Sequence, residues 1–526
     1  MTTIVGLAAG TRNDLDSAAL QDVYNGTVTT HNATTVVVDV GGGQTFTMTG
    51  TGFGNFNGQN VPTTGTVTGM IPPGSGNWSN FSVAVSSLWT IFQNGDVDGF
   101  NNTFFSGNDN FISHATAGNT DRFYGYGGDD IFSMVGASFG ANAILSGGDG
   151  NDTFQFAANF DPATNQIDGG AGTDTLVLNG NYSAGVTFGA GTMVNVEKIS
   201  LTPGNSYNLT TDNATVAAGQ TLTVNGTSLG ASDVLTFNGA AETDGSFRIN
   251  GGAGNDVLTG GAGADVFVLQ QGGNDIAHGG AGNDGFNVYA ALNAADQIDG
   301  GTGADSVNLK GNYSGGLVLG ATTITNVETV SFSPGFSYNV TENNANVASG
   351  QTLTVNASSL GASDTLTFNG AAETDGKFIF TGGAGNDVLT GGAGTDVFNL
   401  QNGGNDVVHG GGGNDIFNMT AAFTAADQID GGTGADIVNL KGNYSGGLVL
   451  GATTITNVET LSLSPGFSYN LTENNGNVAS GQRLTVNASS LGASDVLTFN
   501  GAAETDGRFT FTGGAGNDVL TGGAGT

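Results

Sequence analysis

The sequence predicts an all-β chain: a β-solenoid of short stacked strands behind an N-terminal β domain that caps it. Three observations carry this. Glycine supplies 94 of 526 residues, a nine-residue motif recurs along the chain, and a longer unit returns at a spacing of 131 residues. So much glycine excludes a mostly helical protein, because each interior Gly costs about 1 kcal/mol against Ala in a helix. Collagen is excluded, since Pro is scarce (7 residues) and Gly keeps no three-residue period. Hydrophobic residues make up 37%, including 32 Phe, and recur in ordered positions, so full disorder is excluded too.

Residues 1–120 read as an N-terminal β domain. Asp14 to Tyr24 suits a short helix, and strands are predicted at Thr35 to Val40, Thr45 to Thr49, Thr66 to Met70 and Phe81 to Trp89. An end cap is expected because an open coil edge exposes unpaired backbone. Asp96, Asp98 and Asp109 read either as outlying Ca2+ ligands or as a solvated acidic loop, the loop being favoured.

Residues 121–179 hold the first block of the short motif, G-G-x-G-x-D-x-U-x, where U is large and apolar. Complete copies begin at Gly147, Gly169, Gly251, Gly260, Gly279, Gly300, Gly382, Gly391, Gly410, Gly431 and Gly513. Degenerate copies begin at Gly125, Gln270 and Gln401, and a remnant spans Gly107 to Phe111. The glycines permit a six-residue tight turn. The last three residues form a short strand whose U residue (Leu258, Phe267, Phe286, Val307) points inward. Two such units close a coil of about 18 residues, and stacked coils bury a continuous apolar stripe.

Three longer units follow: residues 180–310, 311–441 and a third, 442–526, that breaks off at Thr526. Gly180, Gly311 and Gly442 each open the string Gly-Asn-Tyr-Ser. The motif blocks within the first two are 251–308 and 382–439. The break inside a motif leads us to expect a fragment of a longer chain. The motif-poor stretches 180–250, 311–381 and 442–512 alternate like strands, which fits either further coils or a small β-sandwich.

The motif aspartates are Asp130, Asp152, Asp174, Asp256, Asp265, Asp275, Asp284, Asp305, Asp387, Asp396, Asp406, Asp415, Asp436 and Asp518. An Asx turn alone would accept Asn equally well, yet every completed G-G-x-G frame carries Asp two positions later. Coil stacking brings these carboxylates close to glycine carbonyls of the motif, namely Gly251, Gly254, Gly260, Gly263, Gly382, Gly385, Gly391 and Gly394. Hard oxygen ligands without Cys, and with only 4 His, select Ca2+. Turns on one side should pair Asp256 with Asp275, Asp265 with Asp284, Asp387 with Asp406 and Asp396 with Asp415.

Charge supports the same partner. The 45 Asp+Glu against 9 Lys+Arg leave a net charge of −36, which suits multivalent cations. It excludes a phosphate-binding stripe, so no nucleic acid is expected, and anionic membrane surfaces are repelled. No apolar run approaches the ~20 residues of a spanning helix, so no membrane insertion is expected. Met1 to Leu15 lacks the pattern of a cleavable secretory signal.

These motifs resemble the RTX (repeats-in-toxin, hemolysin-type) calcium-binding repeats. The resemblance implies a Ca2+-bound parallel β-roll and type I secretion of an unfolded chain from Gram-negative bacteria, directed by an uncleaved C-terminal signal. That signal is expected beyond Thr526. The toxin members' pore-forming segment and acylation region are missing, so toxin activity is not carried over.

Catalysis is not expected. H-E-x-x-H and the phosphate loop are absent. G-x-S-x-G around Ser138 and Ser228 lacks the following helix that a nucleophile elbow needs. His278 and His409 read as exposed turn residues. The expected function is that of a secreted Ca2+-binding solenoid, folding outside the cell, with a structural or surface role (matrix, filament, surface layer or adhesin). Its further partners would be copies of itself or surface polysaccharide. An accessory region of a larger secreted enzyme or toxin, and a glycan- or ice-binding module, are the alternatives.

Overall fold

The computed structural model describes residues 3–6, 27–31, 35–41, 44–54, 64–71, 77–84, 107–113, 121–134 and 143–525. These residues contain no α-helix. They divide into two compact units, Met1–Gly263 and Ala264–Thr526, and each contains parallel β-solenoid coils. The helix expected over Asp14 to Tyr24, together with Asp96, Asp98 and Ser138, lies outside the described residues.

The first unit opens with antiparallel strands. Thr27–His31, Thr35–Gly41, Gln44–Gly54, Thr64–Ile71 and Asn77–Ala84 pair in sequence order. Phe46, Met48, Val67 and Met70 are buried. The predicted strands over 35–40, 45–49 and 66–70 fall inside these elements. From Asn110 onward the pairing becomes parallel. One face of the solenoid stacks Asn110–Ser113, Ile131–Met134, Thr153–Phe156, Thr175–Leu178, Lys198–Leu201, Thr221–Asn225 and Ser246–Asn250. Its opposite face begins with Asp121–Tyr124, Ala143–Asp149 and Gln166–Ala171.

The second unit repeats this plan. One face runs from Val266–Leu269 through Gly285–Val288, Ser306–Leu309 and Thr329–Phe332 to Thr352–Asn356 and Lys377–Thr381. It continues through Val397–Leu400, Ile416–Met419, Ile437–Leu440, Thr460–Leu463, Arg483–Asn487 and Arg508–Thr512. The motif-poor stretches 180–250, 311–381 and 442–512 therefore continue the solenoid as parallel coils and form no separate sandwich. Their coils are longer. Equivalent residues lie 18 or 19 apart in the contiguous motif block but as far as 28 apart where the motif is missing. The 18-residue expectation holds only where two motifs follow each other directly.

The strands bury alternate residues because period-two side chains reach opposite faces. Ser306–Leu309 shows the intermediate–buried–intermediate–buried pattern, and Leu258, Phe267, Phe286 and Val307 are all fully buried. Parallel in-register stacking places like residues above one another. Phe267 and Phe286 stack at 4.7 Å, and Phe380, Phe398 and Phe417 stack at 4.8 and 5.0 Å. Each buried ring contributes roughly 1.5–3 kcal/mol by leaving water.

Candidate calcium sites

The motif turns that lead onto the long face of the solenoid set an acid inside the stack. In the first unit, Asp130, Asp152 and Asp174 are at most 1% exposed. Each accepts a hydrogen bond from the backbone of the preceding coil. Asp109 N–H donates to Asp130 Oδ1 at 2.6 Å, Asp130 N–H to Asp152 at 2.7 Å and Asp152 N–H to Asp174 at 2.6 Å. The second unit builds the same ladder from Asp265 to Asp284 (2.8 Å) and from Asp284 to Asp305 (2.7 Å). It builds it again from Asp396 to Asp415 (2.8 Å) and from Asp415 to Asp436 (2.7 Å). On the other side of the coil, Asp387 N–H donates to Asp406 at 2.9 Å and Asp275 N–H to Asp296 at 2.8 Å.

The expected neighbours Asp265 and Asp284, Asp387 and Asp406, and Asp396 and Asp415 thus stack one coil apart. The link between them runs from amide to carboxylate. Asp256 belongs to the first unit and accepts from Leu235 N–H and Gly252 N–H at 2.8 and 2.7 Å. Asp387, Asp396 and Asp518 likewise have both carboxylate oxygens engaged by amides.

A second group is left half-satisfied. Oδ2 of Asp130, Asp152, Asp174, Asp284, Asp305, Asp415 and Asp436 is buried and has no hydrogen-bond donor. A backbone carbonyl crowds the same spot. A Cβ added to Gly147 would lie 1.9 Å from Asp152 Oδ2 and 2.4 Å from Gly169 O, and one on Gly410 would lie 2.3 Å from Asp415 Oδ2 and 2.4 Å from Gly431 O. The first motif glycine is therefore required sterically, and beside it a carboxylate oxygen without a donor faces a backbone carbonyl oxygen. Buried charge of this kind is costly unless a cation or proton joins it.

Burial pushes the carboxyls up accordingly. Asp130 rises to about 9, with the charges of Asp152, Asp109 and Asp129 adding to the effect. Asp152, Asp284, Asp406 and Asp415 rise to about 7 for the same reason. Asp174, Asp256, Asp396 and Asp436 rise to about 6, and Asp305 and Asp387 are raised as well.

The oxygen-only chemistry of these turns fits Ca2+. Among the described residues no three His, Asp or Glu side chains converge, so one or two carboxylates with backbone carbonyls would hold each ion. Several motif glycines are committed to packing. Gly382 O accepts from Asn402 Nδ2 at 2.8 Å. Gly385 O and Gly394 O lie 2.1 and 2.3 Å from the Cβ positions of Gly404 and Gly413. Gly254 and Gly263 sit over Asp233 O and Gly245 O, and Gly251 and Gly260 are buried.

Sequence reasoning missed the acids that end each ladder. Glu197, Glu328 and Glu459 accept from Asp174, Asp305 and Asp436 N–H at 2.7, 2.7 and 2.8 Å. Asp296 and Asp427 end the other side. Their signal was present: each glutamate follows Asn-Val and returns every 131 residues. His278 and His409 lie in strands, not in turns as expected, and face exposed Asp299 and Asp430 at 3.6 and 3.7 Å. Ser228 Oγ donates to Leu201 O at 2.8 Å.

Parallel coils with an acid buried at turn after turn define an acid-laddered β-solenoid. The model of the RTX calcium-binding nonapeptide repeat, four copies long, matches residues 140–157, 248–272, 271–288, 379–403, 402–418, 424–442 and 510–526. The chain carries RTX calcium-binding nonapeptide repeats in multiple copies. No curated protein and no solved structure matches it.

Proposed function

We propose that this chain is a secreted Ca2+-binding solenoid that folds when Ca2+ reaches it outside the cell and serves a structural or surface role without catalysis. The observation that carries this reading is the set of buried Asp Oδ2 atoms that no donor satisfies. Without a cation the stacked carboxylates repel one another, and three- or four-residue strands bury too little to compensate. With one, each site at 100 times its dissociation constant adds about 2.7 kcal/mol, so binding and folding are coupled. Self-association or a surface polysaccharide would supply its remaining contacts. Circular dichroism in chelator and in millimolar Ca2+ tests the coupling, and electron microscopy of the loaded protein tests assembly. Little β signal in chelator and a cooperative gain with Ca2+ are expected; identical spectra would refute the coupling.

A further inference from the structure

The acid column does not stop where the nonapeptides stop. In the second unit the turn after strand Tyr338–Thr341 begins with Glu342, and the equivalent turn one coil later carries Glu373. The two turns stack directly: Thr374 N–H and Oγ1–H both donate to Asn344 Oδ1, at 2.7 and 2.6 Å. The following coil supplies motif residue Asp396, whose carboxyl feels the Glu373 charge. Glutamates thus hold the column at the coils that lack the aspartate motif.

These glutamates are buried, 2% and 1% exposed. Glu373 Oε1 accepts from Thr374, Asp375 and Gly376 N–H at 2.9, 2.9 and 2.7 Å, a nest of amides that receives an anion. Its Oε2 has no donor, and neither oxygen of Glu342 has one. Three carboxylate oxygens therefore lie buried without any hydrogen-bond partner. The ion pairs of this unit among the described residues join His278 to Asp299 and His409 to Asp430, so no Lys or Arg answers the charge. Burial first, then the neighbouring Glu373, pushes Glu342 up to about 8.

The arrangement recurs 131 residues later. Glu473 and Glu504 are buried, both oxygens of Glu473 and Oε2 of Glu504 lack donors, and Thr505 bonds back to Asn475 Oδ1. The first unit offers a contrast. Glu242 occupies the Glu373 position with the same amide nest, but Thr211 stands where Glu342 would. The Thr211 hydroxyl needs no cation, and it donates to Asn238 O.

We propose that Glu342 with Glu373, and Glu473 with Glu504, form two Ca2+ sites outside the nonapeptide motif. Two carboxylates from adjacent coils supply hard oxygen ligands with a total charge matched to a divalent ion. Such a site staples the motif-poor coils together as the aspartates staple the others. It rests on the Ca2+-dependent reading above, and the test separates the two.

The test counts bound Ca2+ per full-length chain by equilibrium dialysis at saturating Ca2+, with circular dichroism to check folding. Glu342→Gln and Glu473→Gln should each lose one ion, and the double variant two. Thr211→Glu should gain one, because it completes the missing pair with Glu242. Folded Gln variants with the parent's ion count overturn the proposal; a proton shared between the two carboxyls gives that result. Where a Gln variant does not fold, Thr211→Glu decides, and no extra ion overturns the proposal. A parent chain that binds no Ca2+ refutes the function proposed above, whereas a parent that binds it alongside unchanged Gln variants refutes only these two sites.

Discussion

Replacing Asp415 by Asn should change sign with the metal. Asp415 Oδ1 accepts Asp396 N–H, a bond that the Asn carbonyl keeps. Its Oδ2 is buried without a donor. Burial holds the carboxyl near 7, against an ordinary 3.8. At pH 8, ionising it inside the stack therefore costs on the order of 4 kcal/mol relative to the unfolded chain. Asn removes that cost, so the metal-free fold should gain stability by up to this amount. With Ca2+ present the variant lacks a charged ligand and should forfeit about 2.7 kcal/mol, the worth of one site at 100 times its dissociation constant. The assay has two arms read by circular dichroism. In chelator, trimethylamine N-oxide drives folding by strengthening burial, and Asp415→Asn should fold at a lower concentration than the parent. In a Ca2+ titration the same variant should need more Ca2+. A shift of the same sign in both arms would refute the argument. Asp387→Asn is the contrast. Both its oxygens already accept amides, from Leu366 and Gly383, so one amide loses its acceptor and about 1–3 kcal/mol is lost in either arm. Asp375, exposed in its turn, should tolerate Asn in both.

Acidity should act oppositely with and without metal. Carboxyls held near 6 to 9 in the fold, against about 4 unfolded, stabilise the metal-free fold at low pH and lose that contribution as pH rises through 6 to 9. In chelator the β signal should therefore grow from pH 9 to pH 5. In Ca2+, protons compete for the same oxygens, so the half-folding concentration should be higher at pH 6 than at pH 8. Gly147→Ala should be severely destabilising, because its Cβ would lie 2.4 Å from the backbone oxygen of Gly169 as well as 1.9 Å from Asp152 Oδ2. Gly191→Ala, with nothing within 4 Å, should be near neutral, and thermal melts in Ca2+ compare the two. Mg2+ should replace Ca2+ poorly at equal concentration, since it demands a compact octahedral shell that backbone carbonyls at fixed spacing do not supply; a titration with equal midpoints for both ions would contradict this.

Much of the architecture was legible because the motif spells out both its turn and its inward residue. Phe267, Phe286 and Val307 could be placed in the core from nine letters each. The continuity of the solenoid through 311–381 was not legible. Those coils replace glycine turns with longer ones such as Glu342 to Gln351, so the period drifts while the strands stay paired in parallel. Asp387 shows a second limit. From sequence, Asn looks harmless there unless a metal is bound; in the fold, one of the two amides that need its carboxylate comes from Leu366, 21 residues away. Glu328 and Glu342 escaped because a template written for Asp in a glycine frame does not register a longer acid in an Asn-rich turn.

The amide-to-carboxylate ladder has a direction. Each coil offers its own Asp N–H and waits for an acid that only the next coil can bring; Asp396 waits for Asp415, and Asp415 for Asp436. A motif block growing coil by coil therefore has an unanswered donor at its C-terminal edge until the closing glutamate arrives, and an acid already engaged behind it. Within a motif block, whole coils can be inserted, deleted or copied without breaking this grammar, because each motif coil presents the same donor upward and the same acceptor downward. A cut within a coil breaks it at once. Lengthening such a chain by duplicating blocks that begin and end in the same phase, as at Glu197, Glu328 and Glu459, leaves each junction chemically identical to the one before it.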